Sequence, residues 1–207
     1  MDRLFIIDYL RELSVIMTEK KDYLIKLDSV LGDGDLGLTM SDGFKAAYQA
    51  IKTSEEKDIG RLLFTAGKAM SSAVPSTMGT LMASGFMQAG KVFKGKEIME
   101  PKELADLLSA YADGVMNRGK AKPGEKTFID GLLPAVTKME ESFANGDDVC
   151  TAVNEGLNVA IEGYDNTATM LAVHGRAATR GEASRSLKDP GAAVAILMLK
   201  AFEKIVK

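Results

Sequence analysis

The sequence is short of several residue types on which much enzyme chemistry rests. One residue of 207 is cysteine, Cys150, so no internal disulfide can form and no cysteine cluster can hold zinc. One is histidine, His174, and nothing acidic stands beside it in sequence to form a base and its orienter; no Ser–His–Asp or Cys–His arrangement can be read. Long apolar runs are missing. The amino-terminal one covers residues 4–7, too short for a signal core, and none approaches the length of a membrane span. A basic excess is missing as well. Lys and Arg number 26 against 29 Asp and Glu, a net charge of −3, which argues against non-specific binding to nucleic acid or a membrane surface. Alternating strand-like runs and hairpin signals flanked by β-branched residues are absent too. These absences predict a cytoplasmic, all-α protein whose partners include neither nucleic acid nor membrane.

What is present supports a packed core. Hydrophobic residues make up 46% of the chain, enough to fold without disulfide or metal staples, and a charged fraction of 27% is too ordinary for wholesale disorder. Phe5, Ile6, Tyr9, Leu10 and Leu13 recur at helical spacing, and a second, short helix is predicted over about residues 19–30, breaking at Gly32. Met40, Phe44, Ala47, Tyr48 and Ile51 keep the same period, and "DIGRLLFTAGKAM" continues it. "STMGTLMASGFMQAGKVF" is rich in small residues, as where two helices approach closely. The next helix is predicted to open with Pro101 at its first position and to close at Gly119. Pro134 should bend or restart the one after it. The last helix has Asp189 as N-cap and Pro190 at its first position. The sum is about eight helices joined by short loops, in one domain spanning residues 1–207, without repeat or linker.

Four irregular loops interrupt this pattern, at residues 28–39, 71–79, 119–127 and 174–191, each rich in Gly, Ser, Thr, Pro or charge. In an antiparallel bundle, connections separated by an even number of helices fall at the same end, and the helix count permits these four to converge. The first of them, "LDSVLGDGDLGLTM", crowds Asp28, Asp33 and Asp35 among glycines. Ionised carboxylates so close repel unless a cation or water intervenes. Gly32 and Gly34 allow a sharp turn that aims Asp33 and Asp35 at one point, which Asp28 can also face. Three hard oxygen donors suit Mg²⁺, which takes further ligands from water and phosphate. Any single aspartate here reads as a turn or cap residue; the trio with its glycines reads as a metal site. The spacing is not that of an EF-hand. Thr39, predicted to open the following helix, could hold a phosphate with its hydroxyl and the free N–H groups there.

"GKAKPGEKT" resembles a Walker phosphate loop but fails as one. Its lysine comes one residue late and a helix precedes it. Lys126 can still touch phosphate as a point charge, or the segment is a solvated basic linker. "HGRAATRGEASRSLKDPG" carries Arg176, Arg180 and Arg185, whose planar forks can neutralise phosphate. His174 could carry a phosphoryl group or act as a base, although a packed or exposed histidine is the plainer reading.

Taken together, "LDSVLGDGDLG", "AVPSTMGTL", "GKAKPGEKTFIDGLLPA", "HGRA" and "DPGA" resemble, in order and spacing, the nucleotide-binding L subunit of the dihydroxyacetone kinase family, over nearly the whole chain. The resemblance implies a closed antiparallel barrel of eight amphipathic helices, with ADP or ATP and two Mg²⁺ ions at one end. Carried over by motif, it implies Asp28, Asp33 and Asp35 as metal ligands, with Gly37, Leu38 and Thr39 at the phosphates. Ala73, Val74, Gly119 and Phe128 would line the nucleotide site, Phe128 against the base. Arg176 and the backbone of Asp189, Pro190 and Gly191 would complete it. The aspartate trio and Arg176 would be the catalytic set, offsetting charge on the transferring phosphoryl group.

The family places its ketose on a separate K-type subunit. A chain with only the nucleotide part matches the phosphotransferase-system form, in which bound ADP is recharged by a phosphohistidine donor protein. Two departures stand out: Leu36 replaces the family's usual histidine, and Ser71, Ser72, Val74 and Pro75 replace its glycine-rich stretch. They motivate two alternatives, a kinase for another short ketose such as a tetrulose, and a non-catalytic nucleotide-sensing regulatory partner.

Overall fold

Side-chain oxygens begin most of the helices. A computed structural model, describing residues 1–206, has α1 (Arg3–Glu19), α2 (Lys21–Leu31), α3 (Leu36–Ile51), α4 (Ile59–Ala73) and α5 (Thr77–Val92). It continues with α6 (Glu103–Gly119), α7 (Phe128–Ala144), α8 (Val149–Asn166), the single turn α9 (Gly175–Ala178) and α10 (Pro190–Ile205). Asp2, Asp58, Ser76, Thr127, Asp148 and Asp189 each accept a first-turn N–H, satisfying donors that have no partner inside the helix. No strand occurs among the described residues.

Each long helix buries one face. Successive neighbours run α1, α3, α4, α5, α6, α7, and α10 closes the ring by packing on both α7 and α1. Helix α8 lies against α7 and α10, and α2, broken from α1 at Lys20, lies against α3 and α10. The expected barrel of about eight amphipathic helices is therefore present, with α2 and α9 as additions. Its interior is filled. Tyr9 stacks on Phe202 with ring centroids 3.6 Å apart, and Phe86 meets Phe44 and Tyr111 edge-on. The small residues of α5 serve close helix approach: a Cβ on Gly90 would come within 2.6 Å of the Gly60 carbonyl on α4.

One local expectation is corrected: Pro101 lies in a turn ahead of α6, which begins at Glu103. Helix α6 closes at Gly119, as expected, and the left-handed Lys120 (φ 61°) follows it. Pro134 does not restart α7, which runs unbroken from Phe128 to Ala144. The carbonyl deprived of a donor by Pro134 is that of Asp130. It faces Gly163 of α8, where an added Cβ would lie 2.4 Å away.

The connections sort to two ends. Residues 52–58 and 93–102 meet the amino terminus at one end, through Met99 N–H to the Met1 carbonyl (2.7 Å), Ile59 N–H to the Lys96 carbonyl (2.8 Å) and Arg3 to the Ser54 carbonyl (2.6 Å). The loops after α2, α4, α6 and α8 gather at the other.

Candidate functional site

Those four loops enclose a cleft of about 980 Å³. One wall is built from the end of α2 and its loop. The Gly32 N–H bonds the Asp28 carbonyl, and Asp28 Oδ2 accepts from the N–H groups of Gly34 (3.0 Å) and Leu36 (3.2 Å). Gly34 takes φ 78°, a conformation that side chains rarely adopt. Asp28 thus braces the loop and also lines the cleft. Asp35 stands at the N-cap position of α3, yet its side chain caps nothing.

Asp28, Asp33 and Asp35 each offer a carboxylate oxygen, all within 4.8 Å of one another. Burial, then repulsion from Asp33 and Asp28, raises the Asp35 pKa above the ordinary carboxylate value, although Arg176 pulls it down. The arginine reaches this cluster from the last loop, with Nε 2.6 Å from Asp33 Oδ2. Converging hard oxygens with excess negative charge fit a small divalent cation such as Mg²⁺, and the residues present suit it.

The start of α10 forms another part of the wall. Asp189 is buried, accepts from Ala192 N–H at 2.7 Å and donates its own N–H to Thr167 Oγ1 at 2.9 Å. Burial is the largest influence on its carboxyl and pushes the pKa from 3.8 to about 7. Asp130 adds to the rise, against the pull of the Ala192 and Gly191 amides and of Lys126. Pro190 and Gly191 follow on the cleft wall, Gly191 packed against the backbone of the buried Phe128, and Gly119 lines the cleft as well.

The structure therefore brings Asp28, Asp33, Asp35, Gly119, Phe128, Arg176, Asp189, Pro190 and Gly191 to one cleft. Five other candidates lie outside its lining. Gly37 packs against the start of α2, where a Cβ would fall 2.2 Å from the Lys21 carbonyl. Leu38 is half-exposed. Thr39 does not open α3, which starts at Leu36. It is buried, its N–H bonds the Asp35 carbonyl and its hydroxyl meets Ser76 Oγ at 3.4 Å. Ala73 is exposed at the end of α4, and Val74 is buried against Gly43 and Gly79.

Two basic side chains differ from the sequence expectation. Lys126 lines the cleft but is buried, so it is not a solvated linker residue. Its backbone is left-handed (φ 61°) and its ammonium is turned inward onto the carbonyls of Thr167 (2.7 Å) and Leu187. His174 does have an acidic partner: Nε2 lies 2.5 Å from Glu125 Oε2, and this contact holds the Glu125 pKa below its usual range. The two residues are far apart in sequence, so adjacency gave no sign of the pair. Asp130 was also missed. It is buried and closes a capping box with Thr127, a pairing visible as the "TFID" spacing.

Residues 30–204 match the DAK2 domain. The chain is 32% identical over 200 residues to the ADP-binding subunit of the PEP-dependent dihydroxyacetone kinase of Escherichia coli, covering 97% of this chain and 95% of that protein. It is 30% identical over 198 residues to an L-erythrulose 1-kinase of Mycolicibacterium smegmatis, covering 95% of this chain and 34% of that one. The crystal structure of the dihydroxyacetone kinase from C. freundii in complex with AMP-PNP and Mg²⁺ superposes with a TM-score of 0.73 at 20% identity, over 96% of this chain and 33% of that one. That likeness shows the fold, and this chain corresponds to about a third of the larger enzyme.

Proposed function

The chain belongs to the DAK2 domain family, and from that premise we propose that it is the nucleotide-binding subunit of a dihydroxyacetone-type ketose kinase. In this reading it holds ADP or ATP with two Mg²⁺ ions in the cleft. It passes a phosphoryl group to a short ketose carried by a separate K-type subunit in the cytoplasm. ADP would remain bound and be recharged by a phosphohistidine donor of the phosphotransferase system. The observation that carries the reading is the meeting of three carboxylates with Arg176 at the mouth of a cleft bounded by the α10 N-terminus.

Asp28, Asp33 and Asp35 would hold the metal, which supplies positive charge to the phosphate oxygens when bound. Arg176 offers a movable guanidinium for charge building on the transferring group. Gly191, Pro190 and the Asp189 backbone shape the wall at a helix N-terminus, a favourable place for an anion. The first-turn amides at Gly37 and Leu38, with Thr39 behind them, would support the phosphates. Ala73 and Val74 would support the neighbouring turn, and Gly119 and Phe128 would border the base. Mass spectrometry of the purified protein under native conditions tests this: retained ADP with two magnesium ions is expected, and a protein that neither retains nor rebinds ADP with Mg²⁺ would sink it.

A second substrate reading, a tetrulose in place of dihydroxyacetone, is favoured by the likeness to an erythrulose kinase. Transfer assays with the reconstituted complex separate the two, since preference for dihydroxyacetone over erythrulose rules the tetrulose out. A purely regulatory, nucleotide-sensing role predicts binding without transfer in the same assay.

A further inference from the structure

Arg176 sits in the single turn α9, on a long excursion between α8 and α10. This excursion is zipped to itself near its base. Ser186 N–H bonds the Ala168 carbonyl (2.7 Å), Arg185 bonds the Thr169 carbonyl (2.6 Å) and Ala172 N–H bonds Ser184 Oγ (3.1 Å). Its two strands leave and re-enter the helical body at Thr167 and Leu187. The ammonium of Lys126 donates to both of those carbonyls, with Met170 at 3.5 Å. The neighbouring Glu125 holds His174, two residues before Arg176. Consecutive residues of one loop thus tie the root and the approach of the arginine-bearing segment.

We propose that Lys126 is a positioning residue: by gripping both roots of the excursion it sets where Arg176 enters the cleft, and so tunes nucleotide binding without touching nucleotide. The inference rests on the nucleotide reading above. The physical argument is donor economy. A buried ammonium serving carbonyls at both roots forms charge-assisted bonds that join them, and an apolar substitute takes that donor from the Leu187 carbonyl and leaves Thr167 with only the Met170 N–H (3.1 Å). Because the excursion is otherwise bonded mainly to itself, loosening its root shifts Arg176 as part of a unit.

The test measures ADP affinity in the presence of Mg²⁺ by calorimetry on the full chain, for wild type, Lys126→Met, Arg176→Ala and the double variant. It also follows amide hydrogen exchange over residues 168–187. Each single variant is expected to bind ADP roughly tenfold more weakly. The double variant should bind no worse than Arg176→Ala, because Lys126 acts through Arg176, and exchange should quicken in Lys126→Met but not in Arg176→Ala. A general structural defect would instead multiply the two losses, and that result overturns the proposal, as does wild-type affinity in Lys126→Met. Should Lys126→Met fail to fold, Lys126→Gln, which keeps two N–H donors, enters the same comparison. A wild-type protein that binds no ADP with Mg²⁺ removes the nucleotide reading and this inference with it, whereas wild-type binding that is indifferent to residue 126 removes only the inference.

Discussion

Arg176 Nε lies 2.6 Å from Asp33 Oδ2, joining the last loop of the cleft to the first. The arginine side chain is 70% exposed and the aspartate 38%, so the pair adds little to stability and can be exchanged for other partners. The guanidinium rests on a carboxylate that a divalent cation would also claim.

Arg176→Ala should therefore move two affinities in opposite directions. Mg²⁺ binding without nucleotide should tighten by about two- to fivefold, the scale of a solvent-exposed ion pair, because Asp33 is released. ADP binding in the presence of Mg²⁺ should weaken. Separate titrations with Mg²⁺ alone and with ADP at saturating Mg²⁺ measure both. Unchanged Mg²⁺ affinity would show that the pair does not compete with the metal.

Asp33→Ala and Asp28→Ala should separate the site from its scaffold. Asp33 supports no backbone N–H, so its loss should abolish nucleotide retention while stability stays within about 0.5 kcal/mol. Asp28 receives the Gly34 and Leu36 amides. Its loss should also cost about 1–2 kcal/mol, lowering the melting temperature by several degrees. Thermal denaturation in excess chelator, beside native mass spectrometry, reads each effect; a melting point that falls as far in Asp33→Ala would mark that residue as structural.

Asp189 makes stability depend on pH. Its folded-state pKa is raised from 3.8 to about 7, so between those values the folded protein holds a proton that the unfolded chain has released. Stability from this group is full below about pH 4 and declines as pH rises to about 7, with little change beyond. Asp189→Asn keeps an oxygen to cap Ala192 and cannot ionise. Its stability relative to wild type should climb across that window, as followed by urea midpoints from pH 4 to 8. A constant offset would mean that the carboxyl titrates near its ordinary value.

Gly37→Ala distinguishes packing from phosphate contact. Its new methyl would meet the Lys21 carbonyl, which is backbone and cannot swing aside. A loss of about 1–3 kcal/mol is expected by urea denaturation, typical of overpacking. Undiminished stability with weakened ADP binding would assign the residue to the phosphates instead.

The helices were legible because their signals are local. Phe5, Tyr9, Leu10 and Leu13 repeat every three or four residues, and Asp189 with Pro190 begins α10 as the cap and first-turn rules require. The aspartate trio was legible for the same reason, since all three lie on one short, glycine-hinged stretch. Pro134 does not restart its helix; the carbonyl it deprives of a donor faces a close neighbour, Gly163. The direction of Lys126 and the meeting of Glu125 with His174 left no local trace, because each depends on a partner brought from a distant loop.

By itself the amino-acid order determined the helical character, the positions of most caps and breaks, and the cluster of three carboxylates, all governed by interactions within a few residues. Only the tertiary structure decided that four loops share one end of the barrel, that Arg176 reaches Asp33, and that the Lys126 ammonium is spent on the Thr167 and Leu187 carbonyls. Such choices depend on which buried acceptors need a donor and which charges need a partner, and those needs arise only once distant segments have been packed together.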